Sequence, residues 1–212
     1  MDKEQEYKLY QEFEKHFNVQ IANSLKDESD RAKIILAASW ADYYLQVKFE
    51  KEYSKGNKKA RKIIFSANGP FASFSSKLNI AFCAGWIDSD VYHDIQIIRR
   101  LRNECAHTIN KISLSEEKYR TEIEKFKVPK RKYFDWNQVG AISVDDSVLI
   151  YSGEKPEDFN EDLCLSGNLK LLIAIPVILF VLVSNLKIPF VFEGHNIQTP
   201  FAIELPGYMK DL

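Results

Sequence analysis

The feature that most constrains this chain is the run LKLLIAIPVILFVLVSNLK, residues 169 to 187. A stretch this apolar must leave water, either in a membrane or at the centre of a core. Only 16 residues separate Lys170 from Lys187, and Ser184 and Asn185 shorten the apolar part further. At about 1.5 Å per residue the run falls short of a hydrocarbon core of roughly 30 Å, and Pro176 interrupts it. A buried core helix fits best, although the abundance of β-branched residues leaves a central strand open.

A chain of 212 residues with 45% hydrophobic and 28% charged residues has enough apolar mass to build such a core. Its formal net charge of -1 provides no global positive field, so any contact with nucleic acid would be local. Cys83, Cys105 and Cys164 are scattered without CxxC spacing, which argues against a disulfide framework and against zinc. The start, MDKEQEYKLYQEFEKHF, is too charged for a signal peptide, so a cytoplasmic location is expected.

The first half reads as helices. Tyr7, Tyr10, Phe13, Phe17 and Ile21 recur three and four apart on a charged background. A second helix starts in DESDR, where Asp27, Ser29 or Asp30 can cap it, and continues through AKIILAASWADYYLQVKFEKEY. After the polar break YSKGNKK, Asn68-Gly69-Pro70 marks a turn. A helix over about Ser73 to Ala84 ends at Gly85, and Asp88 or Ser89 caps another running to His107. The short connections favour an antiparallel bundle.

Beyond it, SEEKYRTEIEKFK predicts an exposed helix ended by Pro129, and KVPKRK (127 to 132) a solvated connection. AISVDDSVLIYS and IPFVFEGHNIQTPFAIEL each suggest two extended runs around a polar bend, hence a small β annex in the C-terminal half. The expected organisation is a mainly α protein. Residues 1–128 make the helical bundle, and a C-terminal extension, 129–212, contributes a hydrophobic core helix over about 168–186 that packs on it.

The stretch with most chemistry is RRLRNECAH, residues 99 to 107. On a wheel of 100° per residue Val91, Ile95, Ile98, Leu101 and Cys105 share the core face, Asn103 and His107 lie almost opposite, and Arg102 falls at the apolar edge. One reading is structural: Arg102 is partly buried against a carboxylate such as Asp30 or Asp42, and His107 complements the helix C-terminus. In the other, Asn103 fixes the ring of His107 while Arg102 reaches the same anion.

Other constellations are weaker. Asp90/His93 and Glu104/His107 have carboxylate–histidine spacing but share one helix, so no metal site is expected. His16 and His195 have no nearby ligand partners and read as surface residues. Cys105 reads as a core residue, and so do Trp40, Tyr43, Tyr44, Phe71, Phe74, Phe82 and Trp86. There is no phosphate-binding glycine loop, and no cofactor is expected.

The stretches ESDRAKIILAASWADYYL and FSANGPFASFSSKLNIAFCAGWIDSDVYHDIQIIRRLRNECAH resemble the mannitol operon repressor family over residues 28 to 108. Shared features are the Ser-Asp-Arg helix opening, the Asn-Gly-Pro turn, the Phe-Ser-Ser-Lys-Leu helix start, Gly85 before Ile87, and Tyr-His-Asp leading into Leu-Arg-Asn and Ala-His. This resemblance implies a helical regulator acting through a partner protein without direct DNA reading; a homodimer is expected, and the shortness of the apolar run argues against a membrane contact. RNECAH also resembles the HEPN superfamily of helical, metal-independent ribonucleases, many of them toxins or phage-defence effectors. Under that alternative Arg102, Asn103 and His107 are catalytic, Arg99 and Arg100 hold flanking phosphates, and RNA is the substrate. The superfamily's variant with a tyrosine two residues after the histidine is not matched, since Ile109 stands there.

Overall fold

A computed structural model describes residues 3–132, 139–144, 147–152, 167–188, 190–192 and 195–197, with side chains for most of 12–130 and 167–188. In chain order the helices are α1 (Lys3–Lys26), α2 (Asp30–Glu52), α3 (Lys58–Ile64), α4 (Phe74–Cys83), α5 (Ser89–His107), α6 (Glu117–Glu124), α7 (Val128–Lys132) and α8 (Gly167–Leu186). Strands β1 (Val139–Val144) and β2 (Ser147–Ser152) form an antiparallel pair with Val139 opposite Ser152 and Val144 opposite Ser147. A second, shorter pair joins β3 (Phe190–Phe192) to β4 (His195–Ile197). The described residues are mainly α with two small antiparallel strand pairs, within the stretches read as extended runs.

The apolar run is α8, buried around its whole circumference from Leu171 to Val183. It packs against α1, α2, α5, α6 and α7, so its all-round hydrophobicity reflects a helix walled in by other helices. No helix among the described residues is long and apolar enough to cross a membrane. Pro176 sits inside α8, where it removes one backbone donor. Gly167 opens the helix, and a Cβ there would collide with the Leu114 carbonyl.

Local signals explain most helix boundaries. Ser29 caps α2 by accepting from the Ala32 amide at 3.2 Å, Ser73 caps α4 through Ser76, and Asp88 caps α5 through Asp90 and Val91. Gly85, with φ +68°, reverses the chain after α4. At Gly69 a side chain would strike the Ile63 and Ile64 carbonyls, so the Asn-Gly-Pro turn needs that residue.

Three expectations change. The polar break is followed by α3, capped by Asn57, which the periodicity does not reveal because none of its residues is buried. The exposed helix of 115–127 is shorter, with Tyr119 and Ile123 buried, and Pro129 stands in the first turn of α7 instead of ending α6. Proline is tolerated there because a first-turn N–H has no helical partner. KVPKRK is therefore a helical turn packed on α8 rather than a solvated connection. Cys164 and the whole of TPFAIEL fall outside the described residues, as do the side chains of Tyr7, Tyr10 and His195.

Candidate functional site

Helix α5 buries Val91, Ile95, Ile98, Leu101 and Cys105 as the wheel requires, together with Asp94 and Ile97. Burial raises the Cys105 thiol above its usual range, consistent with a packed core residue.

Asp94 is completely buried and carries an anchoring role that apolar periodicity does not reveal. Its carboxylate accepts from the amides of Lys127 (2.9 and 3.0 Å) and Val128 (2.8 Å), fixing the approach to α7. Nδ1 of the half-exposed His93 lies 2.9 Å from the same carboxylate. Burial raises the Asp94 carboxyl above the ordinary range, against the opposing pull of these hydrogen bonds. A charged residue inside the apolar arc was the available signal.

The far end of α5 is held by Arg31, the third residue of Ser-Asp-Arg. Its guanidinium donates to the carbonyls of Cys105 (2.7 Å), Thr108 (2.8 Å) and Asn110 (2.8 Å). Those carbonyls have no donor within the helix, and a cation there also meets the negative end of the helix dipole. Asp30 accepts from the Leu114 amide at 2.8 Å and lies 3.8 Å from Lys33. All three residues of the motif are thus structural: Ser29 caps α2, Asp30 ties the loop before α6, and Arg31 closes α5.

The RRLRNECAH side chains part company around the helix. Arg100 pairs with Glu122 at 3.1 Å, beside a groove of about 290 Å³ that Glu104, Lys118 and Tyr119 also line. Glu104 accepts from Lys118 at 2.9 Å and from the Tyr119 hydroxyl at 3.0 Å, and the lysine holds the Glu104 carboxyl below its usual range. The groove's charges are mutually satisfied.

Arg102 is exposed rather than partly buried, and its proposed carboxylates are committed elsewhere: Asp30 as above, Asp42 to Lys77 at 2.7 Å. Its long stem lets the guanidinium leave the apolar edge for water, where it donates to Asn103 Oδ1 at 3.1 Å. Among the described residues none is hydrogen-bonded to the exposed His107 ring, so the Asn103 oxygen meets the arginine and not the imidazole. Five helical residues also set Arg102 and His107 roughly 140° apart around the axis.

On the α4 side the guanidinium of Arg99 donates to Gln96 Oε1 at 2.9 Å, and Gln96 Nε2 donates to the Tyr92 hydroxyl at 2.8 Å. Tyr92 donates to Asn79 Oδ1 at 2.9 Å and stacks on Phe82 with ring centroids 4.4 Å apart. Phe82 is 40% exposed and Tyr43 61%, so these two of the aromatics read as core lie on the surface. Tyr44 and Phe71 are buried, and Trp40, Phe74 and Trp86 pack against the core in part. The described residues contain no group of histidine, cysteine and carboxylate side chains arranged to hold a metal.

The described helices define a helical bundle. The fold is similar to that of a chain in the X-ray structure of the MtlR-HPr complex from Escherichia coli, at 16% identity and a TM-score of 0.52, over 82% of this chain and 99% of that one. No protein-family model matches the chain, and no curated protein matches it either.

Proposed function

We propose that this chain is a regulatory interaction module that works by binding a partner protein. One observation carries the reading: the similarity to the MtlR-HPr complex extends over nearly the whole length of the matched chain, so the shared unit is the full bundle. HPr, or a protein of the same shape, is the first partner to test, and a homodimer is the expected oligomeric form. The arrangement of the motif residues supports an interaction role. Arg100 is tied to Glu122, Arg31 to backbone, and Arg102 to Asn103, without a hydrogen-bonded partner for His107 among the described residues. The test is titration of the purified chain with purified HPr by calorimetry, alongside sedimentation to give the oligomeric state. Saturable binding with defined stoichiometry supports the reading; absence of heat with HPr removes that partner.

A second reading, a metal-independent endoribonuclease, draws on the exposure of Arg102 and His107 on one helix end. There a ribose 2′-hydroxyl would attack the adjacent phosphorus and displace the 5′-oxygen, with His107 as general base or acid, Asn103 orienting its imidazole, Arg102 stabilising the charge on the phosphorane, and Arg99 and Arg100 holding flanking phosphates. The separation of Arg102 and His107 around the helix demands that two copies pool their motifs or that the arginine reach past the helix end. Cleavage of an RNA pool in EDTA, lost in folded Arg102→Ala and His107→Ala variants, would establish it. An inert wild type at high concentration would remove it.

A further inference from the structure

The α4–α5 flank combines features that the opposite flank of α5 lacks. Phe82 and Tyr92 stack to make an apolar platform, and Phe82 remains open to solvent. Tyr92, Gln96, Arg99 and Asn103 follow one another along α5 at helical spacing, and Arg102 bends into the same stripe through Asn103. The two guanidiniums are held by amide oxygens, of Gln96 and of Asn103. Among the described residues neither arginine has a carboxylate partner. An amide fixes the direction of the planar group without neutralising its charge, so each fork is preoriented and still open to an anion.

We infer that this aromatic and arginine stripe is a docking surface for an acidic segment of a partner protein. The inference rests on the partner-binding reading and names the surface and its chemistry. Charge complementarity identifies the occupant: two uncompensated arginines beside a flat aromatic platform match carboxylates interspersed with apolar side chains, and arginine with aromatic residues is the composition that anchors protein interfaces. Nucleic acid fits less well. Two free cations neutralise few phosphates, and the third arginine of the motif, Arg100, is already paired with Glu122.

The experiment measures fluorescence anisotropy of a labelled peptide of alternating glutamate and leucine with the full chain at low and high salt, with an oligouridine RNA of equal length as the parallel arm. Wild type should bind the peptide in a salt-sensitive way. Arg99→Ala/Arg102→Ala should weaken binding about tenfold, adding Phe82→Ala should weaken it further, and Lys51→Ala, exposed near the end of α2, should leave it unchanged. Thermal melts of each variant verify folding. Failure of wild type to bind the peptide overturns the inference, as does equal binding by the double variant. RNA bound more tightly than peptide through the same arginines overturns it in favour of nucleic acid. Concentration-dependent self-association abolished by the double variant overturns it in favour of a second copy. The HPr titration separates the two levels: HPr bound equally by wild type and double variant keeps the partner reading and removes this surface, whereas peptide binding without HPr binding keeps the surface and removes HPr as its occupant.

Discussion

The two flanks of α5 carry similar residues and treat them in opposite ways. Towards α6, Arg100 meets Glu122, and Glu104 meets Lys118 and Tyr119, so each charge is answered within the fold. Towards α4, Arg99 and Arg102 meet only amides. The same basic stretch thus has one sewn side and one open side. A guanidinium answered by a carboxylate is part of the scaffold, whereas one oriented by a neutral acceptor keeps its charge for something outside. The buried Asp94 and the half-buried Arg31 belong with the sewn side, because they fix the two ends of the helix on which both flanks are displayed.

The largest effect expected is at Asp94. Asp94→Ala leaves the Lys127 and Val128 amides without their acceptor and opens a small void, a loss of about 3 to 5 kcal/mol in urea unfolding. Arg31→Ala removes three carbonyl contacts at the end of α5, which are only partly shielded from water, and should cost about 2 to 3 kcal/mol. Arg31→Lys should recover little, since one ammonium cannot reproduce a planar fork spanning three acceptors. If either alanine variant melted like wild type, the anchors would not determine the helix on which the two flanks stand.

A pH series separates the anchors in another way. The Asp94 carboxyl is raised in the folded protein, so its contribution is complete below the unfolded value, about 3.9, and is lost as pH rises through the folded value. Glu124 behaves oppositely. Lys170 of α8 donates to it at 2.7 Å and lowers its carboxyl, so its contribution is present above the unfolded value, about 4.3, and is lost as pH falls through the folded one. Because the Glu124 side chain is 45% exposed, solvent screens the pair and its share is below about 1 kcal/mol. Unfolding free energies measured across the acid range should therefore show Asp94→Asn without the decline on the rising side, and Glu124→Gln without the loss on the falling side. Equal pH slopes in wild type and both variants would contradict these assignments.

How much of this was legible depends on range. The core face of α5, the caps Ser29 and Asp88, the central apolar helix and the strand pair of 139–144 with 147–152 follow from neighbours in sequence, and local patterns report them. Helix α3 has no buried residue, so it leaves no apolar period to read. Arg102 was misplaced because a wheel gives an angle for the backbone and no account of where a long stem turns. Arg31 reaches carbonyls more than seventy positions away, and only the fold brings them together. Whether the site at RRLRNECAH is a docking stripe or a catalytic pair was not contained in its spacing, because sewn and open arginines have the same letter.

The smallest effect is the most informative about the flanks. Arg99→Ala and Arg102→Ala should each change unfolding free energy by no more than about 0.5 kcal/mol, since a guanidinium that still reaches water, half-buried at Arg99 and exposed at Arg102, gives up water contacts almost equal to those it makes on an amide. Arg100→Ala should cost slightly more, up to about 1 kcal/mol, because it leaves Glu122 with less counter-charge, and the difference should shrink as salt is added. The order matters more than the size. If Arg99 and Arg102 proved more important to stability than Arg100, their amide contacts would be scaffold, and the open flank would be as sewn as the other. If removing them leaves the melt untouched while altering binding, the residues that the fold can spare are the ones it presents.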